Sequence, residues 1–183
     1  INLVYIKLND NGVTLELNNK DNAVPGDIIK YNNGNGYENY LVVGEKNSDT
    51  LAINSYDTNY EYTHNGKTFD MQHIITSKVT IMSNLFHYNS SFNQPIGNWD
   101  VSNVTNMAWM FDGAESFNQP LNNWNTSRVK SMRAMFKNAT NFNKDISEWN
   151  VGEVTNMYFM FSSSEVTTSF NQPIGKWNVS KVT

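Results

Sequence analysis

The chain has 183 residues, of which 39% are hydrophobic and 13% aromatic, with a formal net charge of −4 and no cysteine. The aromatic content predicts a packed core, and the missing cysteines exclude disulfides, thiolate zinc sites and cysteine nucleophiles. No basic stripe is present to neutralise phosphates, so nucleic-acid binding is not expected, and no apolar run approaches the roughly 20 residues that span a bilayer.

The first 73 residues contain two predicted strand pairs. Alternating apolar residues in Leu3–Leu8 and Val13–Leu17 flank an Asn-Gly turn, which is a strong hairpin signal. A second pair is predicted from Ile28–Tyr31 and Tyr40–Val43. Because a stack of repeats needs its ends covered, residues 1–73 are interpreted as a β-rich N-terminal capping segment.

From residue 74 to residue 183 the sequence repeats itself with a period of about 25 residues. A half unit at 74–81 precedes four units, and the fourth carries three additional residues within 162–169. The units start at Met82, Met107, Met132 and Met157. Their largest apolar columns are Phe86, Phe111, Phe136 and Phe161; Phe92, Phe117 and Phe142; and Trp99, Trp124 and Trp149. Such identity of phase predicts a stack in which neighbouring units share one core.

The local spacing predicts the parts of one unit. Val104, Met107 and Phe111 share one helical face, and Trp124–Thr126 reads as a short strand. The predicted fold is therefore an α/β repeat solenoid, leucine-rich-repeat-like, with a short strand and a short helix in each coil. Within it, one internal ladder is predicted to form from Trp99, Trp124, Trp149 and Trp177.

Two segments, MFDGAESFNQP at 110–120 and NWDVSNVTNM at 98–107, carry a family resemblance. They resemble the BspA-like surface-protein repeats, in the branch common in mycoplasma surface lipoproteins, and the resemblance covers residues 74–183. It implies a leucine-rich-repeat-like fold and a role in adhesion or in binding host proteins. Because no catalytic residues are known in the family, none are carried over.

No catalytic residue, metal site or cofactor is predicted from the residues themselves. His64, His73 and His87 show neither a Ser-His-Asp order nor the spacing of metal ligands. Asp10-Asn11-Gly12 lacks the remaining ligands of a calcium loop, and no glycine-rich phosphate loop occurs. The expectation is a protein that is not an enzyme.

A candidate binding surface follows from the two positions after each leading Met, which the repeat leaves variable. On a helix whose other face is buried, these positions would point outward. Trp, Tyr and Arg dominate protein-binding hot spots. We therefore predict a contact surface made of Trp109, Arg133, Tyr158 and Phe159. The alternative is that these rings only cover gaps between coils.

Two functions remain open at this point. The first is an extracellular or surface-displayed module for adhesion or protein–protein binding, whose partner is a protein or a host surface ligand. The alternative is a structural subunit of a virion surface or an extracellular filament. Since the pattern runs through Trp177–Thr183 without a polar cap, that end is expected to meet further chain, a neighbouring subunit or another copy. The start at Ile1 is interpreted as that of a mature or trimmed product.

Overall fold

The computed structural model describes the backbone of residues 6–8, 15–17, 28–32, 37–44, 61–64, 67–164 and 168–183, and the side chains within 69–164 and 168–183. Both predicted strand pairs are present. β1 (Ile6–Leu8) runs antiparallel to β2 (Leu15–Leu17), and β3 (Ile28–Asn32) runs antiparallel to β4 (Tyr37–Gly44). The turn at Asn11-Gly12 lies outside the described residues.

A third hairpin was not predicted. It consists of β5 (Glu61–His64) and β6 (Lys67–Asp70), which are antiparallel and opposed at His64 and Lys67. The signal that could have revealed it is Asn65-Gly66, because Asn-Gly between two extended segments is the commonest two-residue hairpin connection. A single turn of 3₁₀-helix, Met71–His73, follows, and the Asp70 carboxylate accepts the backbone N–H groups of Gln72 and His73.

The start of the array lies inside a sheet. β7 (Ile74–Lys78) pairs in parallel with β4, so the sheet order is β3-β4-β7. These residues belong to the half unit assigned from the repeat. Met71, which precedes them, occupies the phase of Ile96 and Leu121 and accepts the indole N–H of Trp99 at 2.7 Å. The backbone before the first complete unit therefore supplies the carbonyl acceptor for a Trp indole N–H, as each later unit does for the unit that follows it.

The prediction of an α/β solenoid is wrong. In residues 79–164 and 168–183 the structure has no α-helix and no extended strand. Each unit is instead a succession of turns, and β-structure is limited to isolated parallel bridges that join Ile81, Asn106, Ser131 and Asn156. Trp124–Thr126 forms no strand.

The three-residue spacing that suggested a helix belongs to β-turns. The Met110 N–H donates to the Met107 carbonyl at 3.2 Å, and the Ala114 N–H donates to the Phe111 carbonyl at 3.0 Å. All four residues are buried. Apolar residues three apart therefore mark the two ends of a turn here, although the same spacing also marks one face of a helix.

Left-handed backbone explains why the turns do not continue as a helix. Two positions in the units have positive φ, between 50° and 74°, and a residue there interrupts a right-handed helix. The first column is Asn84, Trp109, Ala134 and Phe159, and the second is Tyr88, Gly113 and Asn138. Among these seven residues, only Asn84, Gly113 and Asn138 are of types that favour this conformation. The sequence therefore indicates the left-handed backbone in some units and not in others.

The backbone hydrogen bonds of the turns run between units. The Trp109 N–H donates to the Arg133 carbonyl at 2.9 Å, and the Phe111 N–H donates to the Met135 carbonyl at 2.9 Å. Each such bond joins residues 24 positions apart, and the same register recurs at the preceding and following junctions. Groups that a helix would pair internally are thus satisfied by the neighbouring unit.

The core consists of stacked aromatic columns. Phe111 lies 5.5 Å from Phe86 and 5.3 Å from Phe136 between ring centroids, and 4.1 Å from Phe117 in the adjacent column. The predicted internal Trp ladder is confirmed for Trp99, Trp124 and Trp149, which are buried, whereas Trp177 is only partly buried. The indole N–H groups of the ladder each donate to a backbone carbonyl of the preceding segment: Trp99 to Met71, Trp124 to Ile96, Trp149 to Leu121 and Trp177 to Ile146.

Candidate binding surface

The four residues of the predicted contact surface lie together, although no helix presents them. Arg133 is exposed, Trp109 is half-buried, and Tyr158 and Phe159 are 57% and 51% exposed. They come from three successive units, and the between-unit hydrogen bonds bring those units side by side. We call these four side chains the Arg133 surface.

Arg133 occupies the middle of this surface. Its guanidinium carbon lies 5.1 Å from the Trp109 ring centroid and 5.4 Å from the Tyr158 ring centroid, which are cation–π distances. One ring belongs to the unit before Arg133 and the other to the unit after it. Phe159 extends the surface, since its ring centroid lies 4.0 Å from that of Tyr158.

The helical interpretation implied that both residues after each leading Met are exposed. The structure shows that some of them are buried. Ala108 and Ala134, which neighbour Trp109 and Arg133 in the sequence, are buried. Because the chain turns at every second or third residue, adjacent positions face different directions. The position of a residue in the repeat therefore does not by itself determine whether it is exposed; the size and polarity of its side chain matter as well.

Tyr88 is an exposed aromatic residue that the sequence interpretation missed. It is 66% exposed, and its ring centroid lies 4.1 Å from that of His87. A Cβ atom placed on Gly113 would lie 2.7 Å from Tyr88 Cδ1, so the ring lies against the glycine of the next unit. The available signal was its column, where the other units carry Gly113 and Asn138 and a large aromatic residue is out of place.

The charged residues of the turn segment that contains Arg133 are all positive. The turn segment 130–138 contains Lys130, Arg133 and Lys137, whereas the same segment of the preceding unit contains one acid, Asp112. Asp112 is buried, with Oδ2 lying 3.2 Å from His87 Nε2 and 3.9 Å from Lys137 Nζ. Among the side chains that the structure describes, no carboxylate lies within ion-pair distance of Arg133.

Acidic groups elsewhere in the array have their own partners. Lys181 Nζ donates to Glu153 Oε1 at 2.6 Å, and this hydrogen bond, with the charge of Lys181, lowers the pKa of Glu153. The backbone N–H of Ser147 donates to Asp145 Oδ1 at 2.9 Å and is the main reason that the pKa of Asp145 is lowered. Both carboxylates are therefore held as anions by local contacts that do not involve Arg133.

In the part of the chain whose side chains are described, His73 and His87 each contact an aspartate. His73 Nδ1 lies 2.6 Å from Asp70 Oδ1, and His87 Nε2 contacts Asp112. No group of three or more His, Cys, Asp or Glu residues that could hold a metal ion occurs among the described residues. Nor does any described helix have the length and apolar character needed to cross a membrane.

The C-terminal end of the array has an apolar concavity. A cavity of about 440 Å³ is lined by Met157, Met160, Phe161, Ile174, Gly175, Trp177 and Val179. Phe161 and Trp177 are only partly buried, whereas Phe136 and Trp149 of the preceding unit are fully buried. The aromatic columns of the core therefore continue into the fourth unit, where their side chains are less buried.

These features define a tandem-repeat protein whose units are hydrogen-bonded stacks of turns around aromatic columns. Residues 54–169 and 141–183 match the family described as Mycoplasma protein of unknown function, DUF285. The chain belongs to this family. No curated protein and no solved structure matches the chain. The match confirms the resemblance at the level of a mycoplasma repeat family, while the BspA-like assignment stays a prediction.

Proposed function

We propose that this chain is a non-enzymatic, surface-displayed repeat module of the BspA-like type, and that it binds a protein partner through the Arg133 surface. Support comes from the side chains themselves. Two exposed aromatic rings and a half-buried Trp lie together with an Arg that has no ion-pair partner among the described side chains. Trp, Tyr and Arg are the residues that most often dominate binding energies at protein interfaces.

The observation that carries the proposal is the backbone conformation of two of these residues. Trp109 and Phe159 have φ values of 55° and 60°, in a column where Asn84 adopts 61°. A left-handed conformation costs a residue with a Cβ roughly 1–2 kcal/mol, and Asn tolerates it better than most. A column that accepts Asn nevertheless holds two large aromatic residues, as expected where a side chain serves something other than stability.

Adhesion tests the proposal directly. Beads coated with the chain are expected to attach to cultured epithelial cells, and attachment is expected to fall about thirtyfold for Trp109→Glu and Tyr158→Glu, because hot-spot side chains each contribute about 2 kcal/mol or more. Protease treatment of the cells should also abolish attachment if the partner is a protein.

The matched control for this experiment is Asn122→Glu, which adds the same charge at another exposed position of the array. Melting curves of all three variants are expected to match the parent, since surface substitutions change stability little. If Asn122→Glu reduces attachment as much as Tyr158→Glu does, the effect is one of charge and the Arg133 surface is not the contact.

A second prediction separates stability from binding. Phe159→Asn is expected to raise the free energy of unfolding by about 0.5 kcal/mol, because relief of the left-handed backbone exceeds the lost ring contact with Tyr158. The same substitution should weaken attachment. Asn84→Phe, the reciprocal change in the same column, should destabilise the protein by about 1 kcal/mol. Chemical denaturation measures both; loss of stability in Phe159→Asn would show that the ring is structural.

A structural subunit of a larger assembly is the second candidate, and the apolar cavity lined by residues of the fourth unit favours it. A second copy of the chain would cover the cavity between Phe161 and Trp177 if it stacked against it with a different surface. Light scattering distinguishes the two functions. Concentration-dependent association that Val179→Glu abolishes would support this candidate over the first, since Val179 is exposed and lines the cavity.

A further inference from the structure

The position of Arg133 between two aromatic rings indicates what its partner must offer. A guanidinium that stacks on aromatic rings through its faces keeps its five in-plane N–H donors available at its edges. Trp109 and Tyr158 contact Arg133 from the units on either side. Within the part of the chain whose side chains are described, no carboxylate forms an ion pair with this guanidinium.

We propose that Arg133 is a receptor for a carboxylate of the partner, and that this partner is an acidic peptide segment of a protein with an apolar side chain next to its acid. The proposal rests on the protein-binding function above. A planar carboxylate matches the in-plane fork of Arg in a two-bond arrangement. The rings restrict the guanidinium before the partner arrives, which lowers the entropy lost on binding.

Charge and apolar surface favour a peptide over other anions. Lys130, on the same turn segment, adds positive charge, and the only acid on the preceding segment, Asp112, is buried with Lys137 as its counter-charge. Tyr158 and Phe159 provide an exposed apolar surface beside Arg133, suited to a neighbouring aromatic or aliphatic side chain. A sialylated glycan also carries a carboxylate. The test therefore includes such a glycan as a competing candidate ligand.

Indole N–H resonances provide a site-specific readout. The chain has five Trp residues. Four of them donate their indole N–H to a backbone carbonyl inside the array, whereas Trp109 belongs to the Arg133 surface. In a ¹H–¹⁵N spectrum, a ligand at this surface should shift the Trp109 signal, which the variant Trp109→Phe assigns. The other four signals should stay in place and report that the fold is intact.

The probes are the peptide Glu-Phe-Glu-Phe-Glu and its neutral counterpart Gln-Phe-Gln-Phe-Gln, each with blocked ends. The Glu peptide is expected to shift the Trp109 signal with an affinity about tenfold higher than the Gln peptide, as a charge-assisted pair provides. Arg133→Gln should abolish this difference, and Arg133→Lys should keep only part of it, because Lys lacks the planar fork. Because Arg133→Gln alters a neighbour of Trp109, its spectrum without ligand is the reference for its own titration.

The control variant is Arg128→Gln, which removes the same charge at a different exposed site, where Arg128 donates to Asn103 Oδ1 at 2.9 Å. It should retain the preference for the Glu peptide. Equal affinity for both peptides would overturn carboxylate recognition without affecting the adhesion result, which does not depend on these probes. Equal losses in Arg128→Gln and Arg133→Gln, no shift with either peptide at millimolar concentration, or an Arg133-dependent shift with 3′-sialyllactose alone would each overturn the acidic-peptide partner.

Discussion

Replacing Trp124 by Ala is expected to lower the free energy of unfolding by about 3–5 kcal/mol, the range found for large aromatic residues removed from a core. The Trp124 side chain is 3% exposed, its indole N–H donates to the Ile96 carbonyl at 3.2 Å, and its ring centroid lies 6.2 Å from that of Trp149. The substitution therefore leaves a cavity at the junction of two units and removes one of the two hydrogen bonds that the Ile96 carbonyl accepts, the other coming from the Trp99 N–H.

The matched comparison is Trp177→Ala, at the same phase in the fourth unit. Trp177 also donates its indole N–H to a carbonyl, that of Ile146, but it is only partly buried. Its removal should cost clearly less than that of Trp124, because less surface returns to water and no closed cavity forms. Chemical denaturation followed by circular dichroism measures both. Equal losses, or a Trp124→Ala variant as stable as the parent, would contradict the ladder as the core.

The aromatic columns of the core could be predicted from the sequence because the burial of a side chain depends on its position within the repeat. Phe86, Phe111 and Phe136 recur at one interval, and each unit can bury its ring only against the equivalent ring of its neighbours. The Trp ladder followed for the same reason. Neither inference needed to know which backbone conformation carries the rings.

The secondary structure of a unit could not be predicted in the same way. Val104, Met107 and Phe111 satisfy the spacing of a helix face, but buried residues three apart also fit the ends of successive turns. The decisive fact is the left-handed backbone at Trp109 and Ala134. Neither residue type favours that conformation, so a single sequence conceals it; only Asn84, in the same column, gives a local indication.

The four residues of the proposed binding surface were grouped from the correct repeat phase, although the secondary structure assumed for them was wrong. Trp109, Arg133 and Tyr158 come together because homologous turns are hydrogen-bonded side by side, a property of the stack that any backbone with this period would share. Tyr88 was missed because its exposure depends on the turn that ends at Asn89 and on the missing side chain of Gly113. Contacts of this kind are set by a neighbour 25 positions away.

The buried carboxylate of Asp112 leads to the second large effect. Asp112 is 2% exposed, and its Oδ1 atom has no hydrogen-bond partner among the described residues, while Oδ2 contacts His87 and lies 3.9 Å from Lys137 Nζ. Lys137 therefore brings a permanent positive charge close to this carboxylate. A buried charge that loses its counter-charge is destabilising, because it remains out of water without compensation.

Lys137→Met is accordingly expected to lower the free energy of unfolding by about 1–3 kcal/mol, the cost of an inadequately paired buried polar group. Asp112→Asn should cost less than about 1 kcal/mol, since a neutral amide of the same shape keeps an oxygen near His87. In the double variant the cost of Lys137→Met should largely disappear, because no buried charge remains to be balanced. Lys130→Met, an exposed Lys of the same unit, is the control and should change stability by no more than about 0.5 kcal/mol. Urea denaturation at neutral pH measures all four, and additive losses in the double variant would show that Lys137 does not act through Asp112.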